Sequence, residues 1–268
     1  MRLHFISGLP RSGSTMLSAI LRQNPRVQAN ITSPARDILA AVERETSRTN
    51  EASLLLSQQQ KTKLYAGIFR ALYEHPTHRV AFDTNRLWCA KLPLIAHLFP
   101  LAKVVACVRH VSWIMDSFER LFRGNPMELS GIYDFSPTTT VFSRCAKLAS
   151  SDGVVGRSLD ALREAYYGEH ADRLMLIDYA NFCANPQETM NKLYDFIDEP
   201  VFLHDFEHLK FDSPDFDDRL GAPGLHRVRP KVEYVARETV LPPMLFERYA
   251  RDAFWLSDPQ ELPIRESA

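Results

Sequence analysis

The sequence predicts a three-layer α/β/α fold around a mostly parallel central sheet. Short apolar and β-branched runs alternate with helical stretches along the 268 residues. The first of these runs ends in a glycine-containing turn that opens a helix, the strand–loop–helix context of a phosphate-binding loop. Hydrophobic residues make up 45% of the chain and charged residues 24%, enough for one sizeable core.

Taken in order, residues 3–7 (LHFIS) are short, apolar and bounded by Gly8, as a buried strand should be. Residues 14–23 carry Met16, Leu17, Ile20 and Leu21 at helical spacing, and Pro25 ends that helix. Helical stretches follow at 35–47 and 51–73, then a second strand at 78–83 (HRVAFD). Residues 87–99 predict a helix bent at Pro93, residues 102–110 (AKVVACVRH) a third strand, and residues 111–122 a helix. Helices at 138–149 and 154–167 lead into a fourth strand at 173–179 (RLMLIDY), and 187–197 is helical. From 212 to 234 the chain has no clean period and is rich in Asp, Pro and Gly, which suits a surface loop or a lid over a site. A last helix is expected at 240–255, with paired prolines in its first turn. The whole chain, 1–268, reads as one domain.

The formal net charge of −1 offers no global basic field for nucleic acid. The four cysteines form no C-x-x-C pair and no zinc-ligand spacing, so they read as reduced core thiols of a cytoplasmic protein. No apolar run reaches spanning length, and no membrane partner is expected.

Parallel α/β sheets bind ligands at the carboxyl ends of their strands, so the loops after Ser7, Asp83, Val108 and Asp178 matter most. The first, GLPRSGST, keeps the frame of a nucleotide-triphosphate loop but lacks its lysine. Gly8, Gly13, Ser14 and Thr15 are in register, while Ser14 holds the lysine position and Arg11 is the only cation. A helix N-terminus, three hydroxyls (Ser12, Ser14, Thr15) and a guanidinium together favour a dianion.

GLPRSGST resembles the 5′-phosphosulfate loop of the sulfotransferases that use 3′-phosphoadenosine-5′-phosphosulfate (PAPS). The resemblance implies that Pro10, Arg11, Ser12, Gly13, Ser14 and Thr15 hold the co-substrate and that no metal is needed. VVACVRHVSWIMDSFERL resembles the family's 3′-phosphate motif, an Arg at a strand end and a Ser eight residues on, here Arg109 and Ser117. On the residues alone, Arg109 could instead pair with Asp116 or Glu119. LIDYANFCANP resembles the segment whose tyrosine contacts adenine; Tyr179 and Pro186 match, whereas Ala180 and Phe182 depart from the pattern. The similarity runs from about residue 3 to residue 200. In LHRVRPKV the family's Arg-x-Gly is absent; Arg227 is the candidate to close on the 3′-phosphate, with Arg229 and Lys231 nearby. The other reading is a solvated basic turn balancing the preceding acids.

For catalysis the resemblance implies positioning and charge stabilisation by Arg11 and the loop amides, plus a base for a hydroxyl acceptor. Many cytosolic members carry K-T-H-L-P after the second strand. This chain has DTNRL, with Asn85 in place of the histidine, and asparagine cannot act as a base. Asp83 is the nearest group with that capacity and Arg86 is placed to steady the sulfonate, so the expected catalytic set is Arg11, Asp83, Asn85 and Arg86, with His110 as another candidate base. The acidic residue that Golgi members use after the first helix has no counterpart in VQANITSP. The expected acceptor is a soluble small molecule bearing a hydroxyl or an amine. A small-molecule kinase using ATP and Mg²⁺, or a non-catalytic nucleotide binder, are the alternatives. The oligomeric state is not readable.

Overall fold

The structure is a computed structural model that describes residues 1–47, 50–127, 129–137, 139–211 and 213–256. Residues 138 and 212, the expected starts of a helix and of the irregular segment, lie outside them. The central sheet has five parallel strands: β1 (Arg2–Gly8), β2 (Val27–Ala29), β3 (Val80–Thr84), β4 (Val104–Val108) and β5 (Leu174–Asp178). Their spatial order is β2-β3-β1-β4-β5. The chain winds outward from β1 in one direction, returns through β3, and crosses to β4 on the other side. The switch point therefore lies at the carboxyl end of β1, where such sheets open a crevice.

Alternating strand residues feed two apolar layers. Leu3, Phe5, Ala81, Val104 and Ala106 join one core, in which Phe5 meets Trp88 at 5.1 Å and Phe69 at 5.6 Å between ring centroids. Ile6, Phe82, Val105, Cys107 and Ile177 face the other core. That second core is built on α1 (Ser14–Leu21) and on the later helices α8 (Tyr179–Ala184) and α9 (Pro186–Phe196). Between them in sequence come α2 (Ala35–Glu45), α3 (Gln58–Tyr73), α4 (Leu92–Leu98), α5 (Val111–Gly124), α6 (Val141–Ala149) and α7 (Gly156–Tyr167). The expected α/β/α layering is what the chain adopts. All four cysteines are free and buried, and burial pushes the Cys107 thiol up to about 12. No helix among the described residues is long and apolar enough to cross a membrane.

Several elements differ from expectation, each for a local reason. The strand β2 is only three residues long, too short to show a period. The helix expected at 51–73 is broken by a capping box: Ser57 Oγ accepts from Gln60 N–H at 3.2 Å, and Gln60 Oε1 accepts from Ser57 N–H at 2.8 Å, so α3 starts at Gln58. Pro93 does not bend a long helix. It sits in the first turn of α4, after a separate 3₁₀ turn at Trp88–Lys91, because its missing N–H is tolerated there. The irregular segment contains a short helix, α10 (Pro214–Arg219), and the last helix, α11, is confined to Pro243–Ala250.

Two buried histidines tie stability to pH. Burial, then the charges of Arg2 and Lys103, lower His4 to about 4, and burial lowers His204 to about 4. Both fold as neutral rings, so the stability they hold is intact above the ordinary histidine pKa of about 6.5 and declines as pH falls towards 4. Urea denaturation midpoints should drop between pH 7 and 4.5. The H4N/H204N double variant, weaker at pH 7, should lose less over that interval.

Candidate active site

The loop after β1 is shaped by one carbonyl. Cys107 O of β4 accepts from Leu9 N–H at 2.9 Å and from the Ser12 hydroxyl at 2.8 Å. Gly8, at φ +104°, lies so close that a Cβ there would stand 2.2 Å from the same oxygen. Gly13 (φ +97°) and Arg11 (φ +58°) also take left-handed conformations, which turn the backbone outward. Ser12 is buried and its hydroxyl, which also donates to Leu9 O, is spent on holding the loop. The N–H groups of residues 11–16 have no acceptor in the protein among the described residues. They form a concave row of donors at the N-terminus of α1, whose first turn holds no acid.

Cations gather around this row. Arg11 Nε donates to Ser117 Oγ at 3.0 Å, and its Nη1 donates to Leu225 O. Arg109 donates to Arg11 O at 3.4 Å and lies 4.4 Å over the Tyr179 ring. Arg237 completes the group. Burial, then the neighbouring charges of Arg109 and Arg237, bring Arg11 down to about 10. The acids that might have neutralised Arg109 are engaged elsewhere. Asp116 takes Arg120 at 3.0 Å, Arg237 at 2.6 Å and Val240 N–H at 2.8 Å, while Glu119 takes Arg144 at 2.8 Å and Arg123 at 2.9 Å. Tyr179 sits where its Cδ2 would be 3.0 Å from a Cβ on residue 13, which packs the end of β5 against the loop. Arg11, Arg109, Ser117 and Tyr179, all expected from the sequence, are thus brought together.

These groups, Pro10, Gly13, Ser14 and Thr15 line one cavity of about 550 Å³, within the range for a small ligand. Asn85, Arg86 and Arg227 also line it. Asn85 acts as a turn residue: its N–H donates to Ile6 O at 3.0 Å and its Oδ1 accepts from Leu87 N–H at 3.0 Å. Arg86 has no carboxylate partner among the described residues, and neither does Arg157, which stands near it across the cavity lining.

Asp83 requires a correction. It is fully buried and outside the cavity lining, with Oδ2 accepting from Ser33 Oγ at 2.5 Å and Tyr73 OH at 2.7 Å and Oδ1 from Trp88 Nε1 at 2.7 Å. Burial pushes its pKa up against these donors. A carboxylate so enclosed orders the end of β3 and does not meet a substrate. His110 is also buried and outside the lining, with neither ring nitrogen bonded. Sequence reasoning missed Arg237, which no motif marks, and His226, which lines the cavity with Nδ1 2.5 Å from the buried Asp217 Oδ1.

Residues 4–203 match the family model described as the sulfotransferase family. No curated protein matches the chain in sequence. A sulfotransferase structure from Alicyclobacillus acidocaldarius is similar with a TM-score of 0.51 at 14% identity, covering 82% of this chain and 90% of that one. The sulfotransferase domain of the Synechococcus PCC 7002 olefin synthase is similar with a TM-score of 0.44 at 19% identity, over 93% and 94% of the two chains. Mouse sulfotransferase SULT7A1, solved in complex with PAP, is similar with a TM-score of 0.47 at 17% identity, over 75% of this chain and 60% of that one.

Replacing Asp83 by alanine strands the Tyr73 and Trp88 donors in the core. At about 1–3 kcal/mol for each unpaired buried group, D83A should lose about 3 kcal/mol of stability by chemical denaturation.

Proposed function

The chain belongs to the sulfotransferase family, and we propose that it moves a sulfonate group from PAPS to a hydroxyl or amine of a small-molecule acceptor. The observation that carries this reading is the gathering of Arg11, Arg109 and Arg237 beside six backbone N–H groups that have no acceptor among the described residues; Arg237 is paired with Asp116, while Arg11 and Arg109 have no carboxylate partner among the described residues. Guanidiniums pressed together in this way are electrostatically costly unless an anion neutralises them, and the donor set suits phosphate and sulfate oxygens.

Strand order supports one arrangement of roles. The nucleotide would run across the sheet edge, with adenine against Tyr179 at β5, the 3′-phosphate at Arg109 and Ser117 beyond β4, and the phosphosulfate over the loop after β1. The sulfonate then points towards β3, where Asn85 and Arg86 stand. PAPS supplies the activated sulfonate and a phosphate leaving group. The protein's part is to hold that phosphate with the Pro10–Thr15 loop, neutralise it with Arg11, and align the acceptor. Arg86 and Arg157, both without a carboxylate partner among the described residues, favour an acceptor that carries an anionic group beside its nucleophile.

The kinase alternative is disfavoured by its carboxylates. Of the strand-end acids, Asp83 is enclosed by three donors, and Asp178 caps α8 by accepting from Ala180 N–H at 2.9 Å and Asn181 N–H at 3.0 Å. Neither is turned to a magnesium ion between the phosphates.

Calorimetric titration with 3′-phosphoadenosine-5′-phosphate (PAP), without metal, tests the donor. Micromolar binding is expected, with R109A weaker by about 10–100-fold, the worth of one or two charge-assisted bonds. R237A should weaken binding by a similar factor. R227A decides whether the exposed Arg227 also reaches the 3′-phosphate: affinity within about threefold of the wild type would leave that role to Arg237. No binding of PAP, with binding of ATP–Mg²⁺ instead, would overturn the reading.

A further inference from the structure

Asn85 leaves the β3 end without a base, and Asp83 is buried, yet a hydroxyl acceptor needs somewhere to put its proton. The segment after α10 brings such a group to the cavity. His226 is 15% exposed, lines the cavity, and presents Nδ1 to Asp217 Oδ1 at 2.5 Å. Asp217 has no solvent exposure, and its other oxygen accepts from the His226 backbone N–H at 2.8 Å. A carboxylate can only accept, so Nδ1 carries the proton and the lone pair falls on Nε2. No hydrogen bond at Nε2 is present among the described residues, and the ring lines the cavity. Phe216 holds the ring edge-on at 5.4 Å between centroids.

The position is as telling as the pairing. Leu225, the preceding residue, accepts from Arg11 through its carbonyl, which docks this segment on the phosphate loop. Burial presses the His226 pKa down against the opposite pull of Asp217, and the charges of Arg11 and Arg86 add smaller pushes in the same direction as burial. His226 therefore shares the cavity with the loop after β1 and with Asn85 and Arg86 after β3, and burial favours its neutral form.

We propose that His226, oriented by Asp217, is the general base of the transfer, replacing the histidine that Asn85 displaces. The inference rests on the sulfotransferase reading above. As the acceptor oxygen's electron pair forms the new bond to sulfur, its hydroxyl proton passes to His226 Nε2. The bond between sulfur and the bridging phosphate oxygen breaks, and its electron pair leaves on that oxygen. The Asp217 carboxylate steadies the imidazolium and remains unprotonated.

The test uses the full-length protein with two readouts. PAP affinity by calorimetry and release of PAP from PAPS, with water and phenol as probe acceptors, are measured for the wild type and H226N. Nitrogen-15 spectra of the wild-type histidines then report the tautomer. The expected result is PAP affinity within about threefold, turnover lower by about 100-fold or more, and a ring protonated on Nδ1 with a free Nε2. Turnover by H226N within threefold of the wild type, with PAP still bound, would overturn the assignment and leave the donor reading standing. A wild-type ring protonated on Nε2 would overturn it as well. Failure of the wild type to bind PAP would overturn the donor reading and this base with it.

Discussion

The site depends on one close approach between two parallel strands. Gly8 and Cys107 are register partners in β1 and β4, and the Cys107 carbonyl takes both the Leu9 N–H and the Ser12 hydroxyl. A side chain at residue 8 would collide with that carbonyl, so the turn exists only because glycine stands there. Once the loop is pinned, its next six N–H groups have no acceptor among the described residues. The candidate anion site is thus a consequence of sheet geometry: β1 is central, its neighbours β3 and β4 are reached by opposite crossovers, and the loop opens where those crossovers part.

The cationic character of the cavity arises by subtraction. The chain as a whole is nearly neutral, at −1. Acids next to the site are drawn into other work: Asp116 anchors the strand of chain at Thr239 and Val240, Glu119 clamps Arg144 and Arg123, and Asp178 caps a helix. What gathers beside the loop is a set of guanidiniums pressing on one another, with Arg11 brought down to about 10, while Asp37, Asp134, Asp152 and Glu233 also line the cavity. A neutral protein can hold a strongly anionic ligand in this way because buried charges act locally, where water screens them little.

Polar residues at the end of β3 show how identity and role separate. Asp83, Thr84, Asn85 and Arg86 are consecutive, yet strand alternation and the turn that follows send them to different fates. Asp83 enters the core beneath Trp88 and Tyr73, Asn85 closes the turn, and Arg86 reaches the cavity. The carboxylate most available on paper is the one least available in space. The base proposed here, the His226–Asp217 pair, comes instead from the segment that packs on Arg11.

The sequence by itself determined the layered fold, the turn after β1 and the meeting of Arg109, Ser117 and Tyr179 with that turn. These are local facts: each residue sits at a strand end or a fixed helical spacing from one, and strand ends of a parallel sheet share an edge. Only the tertiary structure decided what depends on packing between distant segments. It chose Asp116 for Arg237 and so left Arg109 unpaired, buried Asp83, and folded the aperiodic stretch after residue 213 so that Asp217 lies under His226. Periodicity carries information about which face of an element is buried. It carries none about an irregular segment, whose course is set by the side chains it happens to cover, and that is where Arg237 and His226 were hidden.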